Sequence, residues 1–64
     1  MIKESSTITF REFETAEEAL AIVRYDEKSV HLCLSLKSDG DIEVSMNKED
    51  AKKLVQALTK AITG

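Results

Sequence analysis

Val30-His31-Leu32-Cys33-Leu34-Ser35-Leu36-Lys37 is the stretch on which the fold turns. Val30, Leu32, Leu34 and Leu36 alternate strictly with His31, Cys33, Ser35 and Lys37. Side chains along an extended strand point to opposite faces in turn, so this period of two predicts a strand with one buried face. Ile42, Val44 and Met46 alternate with Glu43 and Ser45 in the same way. Between the runs lies Ser38-Asp39-Gly40-Asp41, which is turn chemistry, and the whole predicts a hairpin. A two-residue Asp39-Gly40 loop would set Lys37 opposite Ile42, whereas a loop of Ser38 to Gly40 sets Leu36 opposite Ile42. The second register keeps both apolar rows on one face and puts Gly40 where a left-handed residue is wanted.

Downstream, Asn47 is a good N-cap, and Glu49 and Asp50 follow in the first turn, where they meet the positive end of a helix dipole. Ala51, Leu54, Val55, Leu58, Ala61 and Ile62 recur at three and four residues and form one apolar stripe, so a helix is predicted to about Thr63. Lys48, Lys52, Lys53, Gln56, Thr59 and Lys60 fall around the rest. Glu49 and Lys53 are spaced as an i,i+4 pair, and Gly64 ends the helix.

Upstream, two readings of residues 15–25 compete. Thr15-Ala16-Glu17-Glu18 has the form of a capping box, and Ala16, Ala19, Leu20 and Val23 fit a short helical stripe, giving βαββα. Ile22, Val23 and Tyr25 favour a strand, and Asp26-Glu27-Lys28-Ser29 is a compact turn straight into Val30, so a strand from Glu18 to Tyr25 is preferred. Thr7 to Phe13 alternates with Ile8 and Phe10 on one side, and Phe13 breaks the period as a bulge or strand end does. Residues 1–64 then form a single small α+β domain: a four-stranded antiparallel meander and one C-terminal helix packed on one sheet face, ββββα.

The 64 residues are 42% hydrophobic and 33% charged with a net charge of −3, the balance of a folded rather than a disordered chain. The acidic balance argues against general affinity for nucleic acid or anionic membrane. The N-terminal Met1 to Ser6 lacks the apolar core of a signal peptide, and no apolar run is long enough to span a bilayer. A cytoplasmic, reducing compartment is the expectation. One cysteine, Cys33, makes no internal disulfide and no four-ligand zinc site within a chain.

Leu54, Leu58 and Ile62 are expected to pack on Leu32, Leu34 and Val44 as the centre of the core. One helix covers one sheet face, and the second strand is apolar on both sides, with Leu20 and Ile22 on one and Ala19, Ala21, Val23 and Tyr25 on the other. A strand apolar on both faces is one buried on both, and a core this small supplies only about 3–5 kcal/mol. The open face is therefore expected to be a homodimer or partner surface, assigned to Ala21, Val23, Tyr25, His31, Cys33 and Ser35, with Leu20 and Ile22 replacing the alanine row if they face outward.

His31 and Cys33 are the one pair with nucleophile or ligand potential, and they read as a half-buried imidazole and a small apolar thiol rather than as a dyad or a dimer-bridging zinc site. Glu12, Glu14, Glu17, Glu18, Asp26 and Glu27 read as a solvated acidic surface, with docking of a basic partner as the other possibility. Asp39-Gly40-Asp41 lacks the distal ligands of a calcium loop. No catalytic residue, metal or cofactor is assigned.

Four strands, then the strand-Asn-acidic-helix junction of Val44 to Ala51, resemble in outline the PC4 coactivator family. That resemblance implies a dimeric domain that binds single strands of nucleic acid; independently of it, Lys48, Lys52, Lys53 and Lys60 on the exposed helix surface read as a solvated face, with phosphate contact as the other possibility. The sequence departs from the family in having only Phe10, Phe13 and Tyr25 as aromatics and a single lysine in strands three and four, since such binding uses aromatic, basic surfaces. The preferred expectation is a small non-enzymatic interaction module of the regulator, adaptor or inhibitor type. It would act as a homodimer on an unidentified protein partner, with single-stranded nucleic-acid binding as the alternative.

Overall fold

The alternation around Val30 becomes the third of four antiparallel strands in the computed structural model, which describes residues 3–64, the side chains of residues 4 and 5 excepted. The reading of the N-terminal stretch falls partly on Met1 and Ile2, which lie outside the described residues. The elements are β1 (Lys3–Arg11), β2 (Glu18–Tyr25), β3 (Ser29–Leu36), β4 (Gly40–Asn47) and α1 (Lys48–Thr63), and the sheet order is β1-β2-β3-β4. This is the ββββα meander. No helix among the described residues is long and apolar enough to cross a membrane.

The competing helix over residues 15–25 does not form. Thr15 Oγ1 accepts from the Glu17 N–H at 3.3 Å, Ala16 adopts a left-handed φ of 60°, and the chain enters β2 at Glu18. A left-handed residue cannot sit inside an α-helix, so the local turn overrides the capping-box pattern. Phe13 marks a strand end: β1 stops at Arg11, and the irregularity in its ladder lies further back, between Glu4 and Ser6.

The β3–β4 hairpin departs from the expected register by two residues. Leu34, not Leu36, faces Ile42; Leu36 faces Gly40, and Lys37, Ser38 and Asp39 form the turn. Gly40, at φ 78°, is the left-handed residue that closes the turn. A shift of two preserves which side each residue faces, so the apolar rows stay together.

The register sorts the sheet into two faces. Ala19, Ala21, Val23 and Tyr25 pair with Leu36, Leu34, Leu32 and Val30, and these in turn lie beside Gly40, Ile42, Val44 and Met46. Ile8 and Phe10 extend the same face across β1, opposite Ala21 and Ala19. The reverse face carries Leu20, Ile22 and Arg24 beside Ser35, Cys33 and His31, and then Asp41, Glu43 and Ser45.

The helix begins as its caps dictate. Asn47 accepts from the Asp50 N–H at 2.8 Å, and Gly64 donates to the Lys60 carbonyl at 2.8 Å. Lys53 lies 3.7 Å from Asp50, one turn back, in place of the expected partner Glu49.

The packing of α1 corrects the expected core. Leu54, Leu58 and Ile62 are 38%, 55% and 82% exposed, and Leu34 and Val44 below them are exposed as well. The steady rise along the stripe shows a helix that leaves the sheet as it proceeds. Among the described residues its backbone comes near β3 and β4, where Ala51 and Val55 lie beside Val30, and at its start Lys48 Nζ reaches β2, 5.7 Å from the centre of the Tyr25 ring. The cause is the junction: Asn47 is both the last residue of β4 and the helix cap, so no loop exists to turn the helix back over its own sheet. Among the described apolar residues Ala19 alone is buried, at 4% exposure.

Candidate interaction faces

On the apolar face, Ile8, Phe10, Leu34, Ile42 and Val44 are all exposed, and the helix stripe above them is equally uncovered. A compact chain of 7.1 kDa exposes about 4,100 Å². This one exposes 5359 Å², about 1,300 Å² more than that scaling allows. Its radius of gyration is 12.8 Å, against about 10.7 Å for a compact domain of 64 residues. Monomeric proteins rarely leave so many large apolar side chains of one face uncovered.

The reverse face has a different chemistry. Its centre is Leu20, Ile22 and Cys33, all half-buried, and charged or polar side chains rim it. Arg24 reaches across β3 to Glu43 at 3.2 Å, and Ser35 donates to Asp41 at 2.6 Å. At one end the β2–β3 turn builds a small polar network. Asp26 Oδ1 accepts from the Lys28 N–H at 2.9 Å, the Ser29 N–H at 2.8 Å and the Ser29 hydroxyl at 2.7 Å. Asp26 Oδ2 faces His31 Nε2 at 3.3 Å, and His31 Nδ1 meets Ser45 Oγ at 2.7 Å. Ser29, then the other donors, hold the Asp26 carboxyl far below the usual carboxylate range.

Asp26, His31 and Ser45 thus stand in the order of a hydrolytic triad, but the chemistry of the network is that of a clamp. The imidazole nitrogen that faces the carboxylate is also 3.2 Å from Ser29 Oγ, and Asp26 is occupied in closing its own turn. The hollow beside it is lined by Asp26, Glu27, Lys28 and Ser29, away from Ser45. What the network does is tie the β2–β3 turn to β4 through His31.

The residues assigned to one dimer face are divided by the register. Ala21, Val23 and Tyr25 lie on the apolar face with Leu32 and Leu34, and His31, Cys33 and Ser35 lie on the reverse face with Leu20 and Ile22. His31 and Cys33 share a side but make separate contacts, His31 with Ser45 and Cys33 between Ile22 and Glu43 in the ladder. Among the described residues no three His, Cys, Asp or Glu side chains are grouped to hold a metal.

The acidic residues are also more structural than a solvated surface requires. Glu12 accepts from the Thr15 and Glu14 N–H groups at 2.8 and 3.1 Å, which lowers its pKa. Glu17 accepts from the Ser38 N–H at 2.7 Å, joining the β1–β2 loop to the β3–β4 turn, and it too is lowered. Phe13, at the tip of that loop, is 97% exposed. Lys48, Lys52, Lys53 and Lys60 are exposed; Lys53 and Lys60 lie opposite the stripe, whereas Lys48 and Lys52 border the hollow with Val30, Ala51 and Val55, with Lys48 engaged at Tyr25 and Lys53 at Asp50.

Sequence reasoning missed the Asp26–Ser29–His31–Ser45 network. Its signal was present in Asp26 and Ser29 spaced as a side-chain-closed turn two residues before His31, but the contact with Ser45 needs the hairpin register. Comparisons with family models, with curated proteins and with solved structures return no match. The outline likeness to the coactivator family rests on element order and on the Asn47 junction.

Proposed function

We propose that this chain is a non-enzymatic protein-interaction module, of the regulator, adaptor or inhibitor kind, that acts as a homodimer. The observation that carries the reading is the excess of about 1,300 Å² of exposed surface over a compact chain of this mass, together with the exposed Ile8, Phe10, Leu34, Ile42 and Val44 of one sheet face and Leu54, Leu58 and Ile62 of the helix stripe. Two chains burying that excess would cover about 2,600 Å², within the range of obligate homodimers. Such an interface leaves the reverse face, with its apolar centre and polar rim, available to a different partner.

Single-stranded nucleic-acid binding has less support. The four lysines are spread along one helix, and two of them already face Tyr25 and Asp50. Sedimentation equilibrium at micromolar concentration tests the assembly: a mass of twice 7.1 kDa is expected, and a 7.1 kDa species at every concentration would overturn the proposal.

A further inference from the structure

Each chain is shaped as an open V whose two inner surfaces are apolar. One arm is the sheet face of Ile8, Phe10, Leu34, Ile42 and Val44, and the other is the stripe of Leu54, Leu58 and Ile62. The arms meet where Ala51 and Val55 approach Val30, and both open to the same side, because residues 51, 55, 58 and 62 recur on one side of the helix. Resting on the dimer reading above, we infer that two copies interlock reciprocally: the helix of each chain lies on the apolar sheet face of the other.

Four observations select this occupant and this arrangement. The first is the junction at Asn47, which keeps a helix from returning over its own sheet. The second is length. The 16-residue helix is about 24 Å long and an eight-residue strand about 26 Å, so one covers the other end to end.

The third is area. Sheet faces stacked on each other would bury the strands and leave Leu58 and Ile62 in water. Pairing of the β4 edges would leave both arms of the V exposed. Only the crossed placement covers the helix stripe and the sheet face in one contact, and a twofold axis makes it twice over without leaving an open end. The area available, about 1,300 Å² per chain, is what such a double contact needs.

The fourth is charge. When the stripe faces the partner's sheet, Lys53 and Lys60 face water on the far side of the helix, and Lys52, which borders the hollow beside Val30 and Val55, is itself exposed, so no lysine lies in the middle of the stripe.

The test uses the unmodified chain, mixed in equal parts as methyl-labelled and unlabelled protein, with isotope-filtered nuclear Overhauser spectra that report contacts between chains only. Inter-chain contacts from the Leu58 and Ile62 methyls to those of Ile8, Leu34, Ile42 or Val44 are expected. Helix-to-sheet contacts seen only within a chain would overturn the inference. So would inter-chain contacts confined to helix with helix or sheet with sheet, although the dimer itself would then stand. A sample that sediments at 7.1 kDa under the same conditions overturns the dimer and this arrangement together.

Discussion

Replacing Leu58 with Ala separates a chain that is complete alone from one completed by a second copy. In a single chain Leu58 is 55% exposed, so removing its side chain there gives up only part of a leucine's burial, and Ala is the better helix former. If a partner covers the rest, that exposed fraction of about 2 kcal/mol is lost on dissociation, about 1.1 kcal/mol per chain and about 2.2 for the pair. At 1.4 kcal/mol per decade this weakens the dimer roughly 40-fold before any cavity term, which adds to it. Gln56→Ala, exposed and outside the apolar stripe at the edge of the hollow beside Val30, is the control. Sedimentation equilibrium of the three proteins reads the dissociation constant directly, and thermal melts at two concentrations read it through the dependence of Tm on protein concentration. Leu58→Ala should dissociate at concentrations where the parent and Gln56→Ala remain dimeric. Indistinguishable masses and midpoints for all three would refute the reasoning.

Asp26 is held ionised by its turn, so its contribution is fully present above the ordinary value of 3.8 and is lost as pH falls below it. Asp26→Asn should therefore flatten the acid limb of a stability–pH curve, and an unaltered limb would count against the clamp. Ala16, at φ 60°, carries a left-handed strain of about 1–2 kcal/mol, and glycine's extra chain entropy offsets about 0.5–1 of it, so Ala16→Gly should stabilise the fold by up to about 1.5 kcal/mol. A lower Tm would show that the turn does not hold this conformation. Fluorescence anisotropy with single-stranded oligonucleotides should show no micromolar binding at low salt. Binding that is lost at high salt and on joint Lys52→Glu and Lys53→Glu substitution would favour the nucleic-acid reading. Inserting about five Gly and Ser residues between Asn47 and Lys48 should let the helix return to its own sheet and convert the dimer to a 7.1 kDa monomer, as read by light scattering. A persistent dimer would mean that the junction does not set the assembly.

The elements were legible because each rests on a local period. Val30 to Leu36 and Ile42 to Met46 alternate by two, the stripe from Ala51 to Ile62 recurs by three and four, and Asn47 caps where an oxygen is needed for the Asp50 N–H. The contest over residues 15–25 was settled by one backbone angle, at Ala16, that the side-chain pattern does not encode. The hairpin register slipped by two for a related reason: a left-handed Gly40 is compatible with more than one pairing, and all registers of the same parity keep the apolar rows together. The faces of β2 were harder because both sides are apolar. Separating Tyr25 from Cys33 required knowing that Tyr25 pairs with Val30 and that Cys33 pairs with Ile22.

The expected core failed for a reason that periodicity cannot reach. An apolar stripe and an apolar face in adjoining segments each demand cover, and either can obtain it within the chain or from another copy. What decides between them is the length of the connection. A strand and helix joined at a single residue have their relative direction set by the cap geometry, here Asn47 at φ −75° and ψ 169°, and with that geometry Leu34 and Ile62 both stay exposed. The same side chains separated by a turn would close on themselves. Hydrophobic pattern thus specifies which surfaces are buried, and the junction specifies whose. In the proposed dimer the two requirements would be met together, a second copy supplying the cover that the helix does not give its own sheet.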